Sequence, residues 1–265
     1  IAKSLGAKGI VTVQEEALGT AHAIQCAKES LDGPCVVAFA DTLFRANFHL
    51  DKNSDGSIWV KQVDNPSADG VVKLKDGVIT DFVEKPKDFV SDRASIGIYY
   101  FKEGSVLREE IQYLLDNNIT EKGEFQLTNA LENMKQKGLK FVPGEVSEWM
   151  DCGNKEITVE TNGKILQFAK AEGVNLVSPD VVFENATIIE PCYIGSRVVL
   201  QNTTIGPNVS LGDHCRVENS VIKNSLIQTN TSIKNANLDG AMIGNHVQFD
   251  GSFKSVSLGD YSMLN

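Results

Sequence analysis

From about residue 176 onward, apolar residues return every five or six positions: Ile188, Ile194, Leu200; Ile205, Leu211, Val217; Ile222, Ile227, Ile233; and Leu238, Ile243, Phe249. The first members of successive triplets lie 17, 17 and 16 residues apart. Neither the period of an α-helix nor the alternation of a single strand reproduces this spacing. A coil of three short strands per turn does, because each apolar residue then points inward and stacks on its equivalents in neighbouring turns. Glycine follows the apolar residue at Ile194, Ile205, Leu211, Ile243 and Leu258. Asn219, Asn224, Asn230, Asn235, Asn237 and Asn245 suit the corners, where left-handed backbone is tolerated. The expectation for residues 176–265 is a left-handed parallel β-helix of hexapeptide repeats.

The first part of the chain follows another pattern. Residues 1–172 hold 20 Lys/Arg and 27 Asp/Glu, against 5 and 8 in residues 173–265, so ionisable surface thins where the repeat begins. Residues 10–13 read as a strand, 20–31 as an amphipathic helix with Thr20 as its cap, and 35–40 as a continuous apolar strand buried on both faces. These would form one βαβ unit. Further strands are expected at 58–63, 70–74, 78–83 and 96–101, with helices over 104–117 and 126–137. Residues 1–153 therefore read as a mixed, mainly parallel sheet with helices on both faces, and 154–175 as a linker helix. The opening Ile1–Gly6 reads as the end of a helix closed by Gly6, the pattern of a chain that starts inside a longer layout.

A net charge of -10 disfavours nucleic acid and acidic membrane surfaces as partners, although a few lysines can still build a phosphate pocket. No apolar run approaches the ~18 residues of a membrane span. Cys26, Cys35, Cys152, Cys192 and Cys215 are odd in number and scattered, which fits reduced thiols in a cytoplasmic protein. His22, His49, His214 and His246 have no metal-ligand spacing, and no Ser-His-Asp or Cys-His set is evident.

Several short motifs carry the candidate chemistry. Asp41 follows an apolar strand, where a carboxylate can hold a divalent cation on substrate phosphates. Asp151, in Glu148-Trp-Met-Asp-Cys-Gly, offers a second carboxylate for the same cation. In Phe82-Val-Glu-Lys-Pro, Glu84 can accept from sugar hydroxyls while Lys85, held extended by Pro86, meets a phosphate. Gly19-Thr20 opens a helix whose free N–H groups can read a base edge or an anion. Lys122 precedes another helix and can add a second phosphate contact. Each motif alone is as easily a turn, a cap or a solvated surface residue.

Their order along the chain is more specific. Gln14-Glu-Glu-Ala-Leu-Gly-Thr-Ala-His-Ala, Phe39-Ala-Asp-Thr-Leu, Pro66-Ser-Ala-Asp-Gly-Val-Val, Phe82-Val-Glu-Lys-Pro, Ile96-Gly-Ile-Tyr-Tyr-Phe, Gly123-Glu-Phe-Gln-Leu-Thr-Asn and Trp149-Met-Asp-Cys-Gly follow one another. Over residues 8–156 the series resembles the sugar-1-phosphate nucleotidyltransferases, whose members often carry a C-terminal left-handed β-helix. The resemblance implies an α/β fold: a Rossmann-like mixed-sheet domain, here without its first βα unit, followed by the β-helix. It implies Mg²⁺ as cofactor on Asp41 and Asp151, and an NTP and a sugar 1-phosphate as substrates. Gln14, Gly19 and Thr20 match nucleotide-binding positions. Gly70, Glu84, Lys85 and Gly97 match the sugar-phosphate site, and Lys122 falls where some members carry an arginine on the same phosphate.

The family's Gly-x-Gly-x-Arg loop and its Pro-Lys do not occur before Gln14, so the resemblance implies that this stretch alone is inactive. It also leaves open a non-catalytic regulatory or scaffold subunit, and an acyltransferase site in the β-helix, where His214 and His246 are the histidines present. A homo-oligomer is expected, with the β-helix packing on the catalytic part or mediating assembly.

Overall fold

The computed structural model describes residues 3–47, 50–51 and 53–252. The readings that touch Ile1, Ala2, His49 and Leu258 lie outside the described residues. The chain forms two compact units, residues 1–150 and 151–265.

The first unit is built on strands β1 (Cys35–Ala38), β2 (Thr42–Arg45), β3 (Gly56–Gln62), β4 (Gly70–Lys75), β5 (Val78–Glu84), β6 (Arg93–Phe101), β7 (Phe141–Glu145) and β8 (Glu148–Asp151). Its helices are α1 (Thr20–Gln25), α2 (Gly104–Asp116) and α3 (Leu127–Gln136). The main sheet runs β5-β4-β6-β3-β7, with β1 also on β6. One edge of β6 carries β3; the other is shared by β4, at Ala94, and β1, at Ile98–Phe101. Gly97 lies where those two strands part.

The sheet is mixed, as expected, but not mainly parallel. Only the β3–β7 pair is parallel, while β1–β6, β3–β6, β4–β5 and β4–β6 are antiparallel. Hence no βαβ unit joins residues 10–38. Residues 10–13 form no strand, and Val11 is 90% exposed. The helix expected over 20–31 stops at Gln25 and resumes as a 3-10 turn at Lys28–Ser30. Strand β1 alternates half-buried and exposed residues instead of being buried on both faces, because among the described residues β6 is its one partner. Lys3–Leu5 is likewise a 3-10 turn, closed by Gly6 at φ 76°.

Nor do helices cover both faces. Period-two alternation sends Ile58, Val60, Tyr99 and Phe101 to one side, where they meet Ala21 and Ile24 of α1, Leu107, Ile111 and Leu114 of α2, and Leu127, Leu131 and Met134 of α3. The opposite side buries Trp59, Ile96 and Ile98 under Val146, Phe44 and Trp149, from the small β2–β8 sheet and its flanks.

In the second unit, α4 (Lys155–Ala171) leads into a parallel β-solenoid. Ile188, Ile205, Ile222 and Leu238 stack in one column. Ile194, Leu211, Ile227 and Ile243 form a second, and Leu200, Val217, Ile233 and Phe249 a third. The periodicity thus gave the register of all three columns. Asn219, Asn224, Asn230 and Asn235 occupy left-handed corners, as do Asn185, Asn202 and Asn208. Asn237, expected at a corner, instead lies within the strand Asn237–Asp239, and Asn245 has no positive φ. At one corner the amides hydrogen-bond in series, Asn185 to Asn202 to Asn219 to Asn235, ending on Asp250. Helix α4, capped by Asn154 Oδ1 on the Ile157 N–H, docks on the solenoid: Asn162 donates to the Asn208 carbonyl and accepts from the Ser210 hydroxyl.

Candidate functional site

Gly70 and Glu84 are register partners at the open end of the β4–β5 pair. The Thr128 hydroxyl donates to Glu84 Oε2 at 2.9 Å, leaving Oε1 without a protein donor among the described residues. The two-residue Asp76–Gly77 turn, with both residues at positive φ, sets the β4–β5 register, and α3 fastens β5 from one side. Thr128, Glu132 and Lys135 lie on one face of that helix and meet β5 in turn: Thr128 at Glu84, Glu132 at the Phe82 N–H (3.2 Å), and Lys135 at the Thr80 carbonyl (2.8 Å). From Thr128 to Glu132 four helical residues rise about 6 Å, against about 6.6 Å for the two strand residues from Glu84 to Phe82; the three-residue step on to Lys135 rises about 4.5 Å, and the long lysine side chain spans the difference. Glu84 is the last rung of that ladder.

Lys85 leaves the strand with φ 37°, not extended as its position before Pro86 predicts. The cause is the backbone hydrogen bond from the Lys85 N–H to the Asp69 carbonyl, which turns the chain back at the end of the pair. Left-handed backbone at a non-glycine residue before proline is strained. The Lys85 side chain is exposed and makes no ion pair among the described residues.

Asp41 sits on the turn between β1 and β2, and both sides of that turn are tied to β6 around Gly97. The Phe39 N–H donates to the Gly97 carbonyl at 3.0 Å, and the Thr42 hydroxyl to the Ile96 carbonyl at 2.9 Å. Gly97 has φ 80°, and a Cβ there would come within 3.0 Å of Phe39 Cδ2. Asp41 itself is exposed, with no ion pair among the described residues. Phe39 packs on Tyr99 with ring centroids 5.8 Å apart. Burial pushes the Tyr99 phenol up to about 12; the Ser95 hydroxyl bond opposes this and the Glu84 charge adds to it. Asp41, Gly97, Tyr99, Glu84 and Gly70 therefore gather about the point where β1 and β4 part on the edge of β6.

Gln14 folds over the start of α1: its Nε2 donates to the Gly19 carbonyl and lies 3.0 Å from His22 Nδ1. Gly19, at φ 104°, lies so close to Phe125 that a Cβ would be 2.5 Å from the Phe125 carbonyl oxygen. Thr20 does not cap its own helix. Its hydroxyl accepts from the Leu127 N–H at 2.9 Å and donates to Gln126 Oε1 at 3.1 Å, so it caps the start of α3. Gln126 and Thr128, whose side chains meet Thr20 and Glu84, both lie in the Phe125-Gln-Leu-Thr-Asn run, and sequence reading alone does not single them out. The signal was a hydroxyl and an amide at a helix start.

Lys122 is exposed at the tip of a tight turn, with Lys122 and Gly123 both at positive φ between Glu121 and Glu124. That turn adjoins Gly19 through Glu124, and no contact joins Lys122 to Glu84 among the described residues. Asp151 ends β8, and its Oδ1 accepts from the Gly153 N–H at 2.8 Å. The described residues hold no cluster of three or more His, Cys, Asp or Glu ligands. An exposed, unpaired carboxylate such as Asp41 suits Mg²⁺, which takes one or two protein carboxylates and completes its shell with phosphate and water.

The sequence profile of the Nucleotidyl transferase family matches residues 2–167. The chain belongs to that family. Among nucleotidyl transferases it is 27% identical over 280 residues to a glucose-1-phosphate thymidylyltransferase of Streptomyces antibioticus, covering 95% of this chain and 77% of that one. It is 30% identical over 275 residues to the bifunctional protein GlmU of Clostridioides difficile (strain 630), covering 92% of this chain and 57% of the relative's length. In fold it is similar to the nucleoside-diphosphate-sugar pyrophosphorylase of Vibrio cholerae RC9, with a TM-score of 0.52 and 24% identity over 60% of this chain and 71% of that one. No helix among the described residues is long and apolar enough to cross a membrane.

Proposed function

We propose that this nucleotidyl transferase moves a nucleotidyl group from an NTP to a sugar 1-phosphate, giving an NDP-sugar and pyrophosphate. The observation that carries the reading is Glu84: one carboxylate oxygen is held by Thr128, and among the described residues the other accepts from no protein donor and the adjacent Lys85 makes no ion pair. A carboxylate fixed in this way accepts from adjacent sugar hydroxyls, and the adjacent ammonium meets the phosphate on C1. Gly70, opposite Glu84, carries no side chain, so the Glu84 carboxylate and Thr128 keep their places beside it. The name of the glucose-1-phosphate thymidylyltransferase relative supports the substrate class.

In the reaction an oxygen of the sugar 1-phosphate forms a bond to the α-phosphorus, and the bond from that phosphorus to the α,β-bridging oxygen breaks. Pyrophosphate leaves with the electron pair. The attacking phosphate is already ionised at neutral pH, so no general base is needed. Gln14, Gly19 and Thr20 form the nucleotide loop, with Lys85 orienting the nucleophile and Lys122 as a further phosphate contact at the rim. Asp41 and Asp151 are the proposed carboxylate ligands of Mg²⁺, which when bound offsets negative charge on the phosphates. The residues' part is positioning and electrostatics.

The test is pyrophosphate release by the protein expressed from its full reading frame, with four NTPs against a panel of sugar 1-phosphates. Turnover with one pair, lost in Lys85→Ala and Glu84→Gln, is the expected result. Binding of nucleotide or sugar phosphate without turnover by any pair would overturn it in favour of a regulatory subunit.

A further inference from the structure

We infer that the first turn of α3 couples the nucleotide loop to the sugar carboxylate, with Thr20 and Thr128 as its two positioning residues. The inference rests on the function proposed above. Residues 18–21 and 124–127 are joined by four hydrogen bonds: Phe125 N–H to the Leu18 carbonyl (2.8 Å), Ala21 N–H to the Phe125 carbonyl (2.9 Å), Leu127 N–H to Thr20 Oγ1 (2.9 Å) and Thr20 Oγ1 to Gln126 Oε1 (3.1 Å). Gly19 lies against the Phe125 backbone with no space for a side chain, so the loop cannot shift without moving residues 124–127.

The next residue along the chain, Thr128, is buried and holds Glu84 Oε2. Gln126 supplies no cap to its own helix, and Thr20 fills that place from another element. One hydroxyl therefore ties the nucleotide loop to the helix start, and a second ties the helix start to the group that reads the sugar. Farther along, Glu132 and Lys135 fasten the helix to β5, so a change at its N-terminus is felt chiefly at Thr128. A ligand that orders the Gln14–Thr20 loop then stabilises the arrangement in which Glu84 is aligned, and by linkage the sugar phosphate favours the same loop state.

The experiment uses the full reading frame and the NTP and sugar 1-phosphate selected by the turnover panel, the NTP replaced by its α,β-methylene analogue so that both bind without reaction. Calorimetry gives the sugar 1-phosphate Kd with and without the analogue; their ratio is the coupling factor. A wild-type factor of about 10 is expected, within the usual range of coupling between sites. Thr20→Val brings the factor to about 1, Thr20→Ser restores it, and Thr128→Val abolishes it while raising the sugar 1-phosphate Kd about 10-fold. The double variant Thr20→Val/Thr128→Val loses no more coupling than either single one.

A wild-type factor of 1 overturns the inference, as does a Thr20→Val protein that binds nucleotide less tightly but keeps its coupling. Melting curves monitor folding; should Thr20→Val not fold, Thr128→Val alone decides, and coupling retained there overturns the inference. Absence of turnover with every pair instead removes the underlying function, which is a separate result.

Discussion

Gly70 and Glu84 face each other across the β4–β5 pair so closely that a methyl group on Gly70 would come 3.1 Å from Glu84 Oε2 and 3.2 Å from Thr128 Cγ2. The absence of a side chain at 70 thus protects the Thr128–Glu84 hydrogen bond. Gly70→Ala displaces the carboxylate by a few tenths of an ångström and weakens that bond, at a cost of about 1 kcal/mol. The expected outcome is a KM for sugar 1-phosphate raised about fivefold with the KM for NTP unchanged, read by steady-state kinetics.

At Gly97 the constraint is backbone as well as space. With φ 80° and Phe39 Cδ2 within 3.0 Å of a built Cβ, any side chain is strained and pushes on the turn that carries Asp41. Gly97→Ala is predicted to lower stability by about 1–3 kcal/mol and to reduce kcat, because the Asp41 turn hangs on the Gly97 carbonyl. Denaturant unfolding and turnover, measured side by side, check both effects.

The buried Tyr99 phenol supplies a pH signature. Its value near 12 lies above the ordinary 10, chiefly through burial, so the folded state keeps its proton when the unfolded state has lost it. Stability from this group is full below pH 10 and is lost as the pH rises from about 10 to 12. Urea unfolding across that window is expected to show a steeper loss for the wild type than for Tyr99→Phe; equal slopes would contradict the assignment.

The solenoid columns predict a separate set of energies. Leu211 is fully buried, between Ile194 and Ile227 in its column. Leu211→Ala removes contacts to both neighbouring turns and is expected to cost about 2–5 kcal/mol. An exposed outward residue of the solenoid, Lys223→Ala, loses only a surface ion pair with Asp239 and is expected to change stability by under about 1 kcal/mol. Unfolding of the two variants by denaturant compares them directly.

These contrasts mark how much of the molecule was legible in its sequence. The solenoid register was, because a column of Ile205, Ile222 and Leu238 depends on one repeating contact that periodicity encodes. The strands from β3 to β6 and helices α2, α3 and α4 were legible within a few residues for the same reason. The direction of the strands was not: β1 pairs antiparallel with β6, some 60 residues away, and no local pattern records a partner at that distance. The apolar run over 35–40 suggested burial on both faces, whereas its alternation reflects an edge position. At the candidate site, motif order marked Glu84, Gly70, Asp41 and Gly97, which lie about the point where β1 and β4 part on β6. Thr20 and Thr128 were misread or missed because their hydroxyls act across the fold. Thr20 looks like a cap and is one, for a helix 107 residues further on.

The most direct test of the account is Mg²⁺-dependent pyrophosphate release by the full-reading-frame protein, comparing the wild type with Asp41→Asn. Asp41 is exposed and makes no ion pair among the described residues, so its replacement is expected to leave the melting temperature unchanged. The account predicts turnover with one NTP and sugar 1-phosphate pair and a fall of at least about 100-fold in kcat for Asp41→Asn, about 2.7 kcal/mol of transition-state stabilisation. Undiminished turnover in Asp41→Asn, or none in the wild type with any pair, would contradict it.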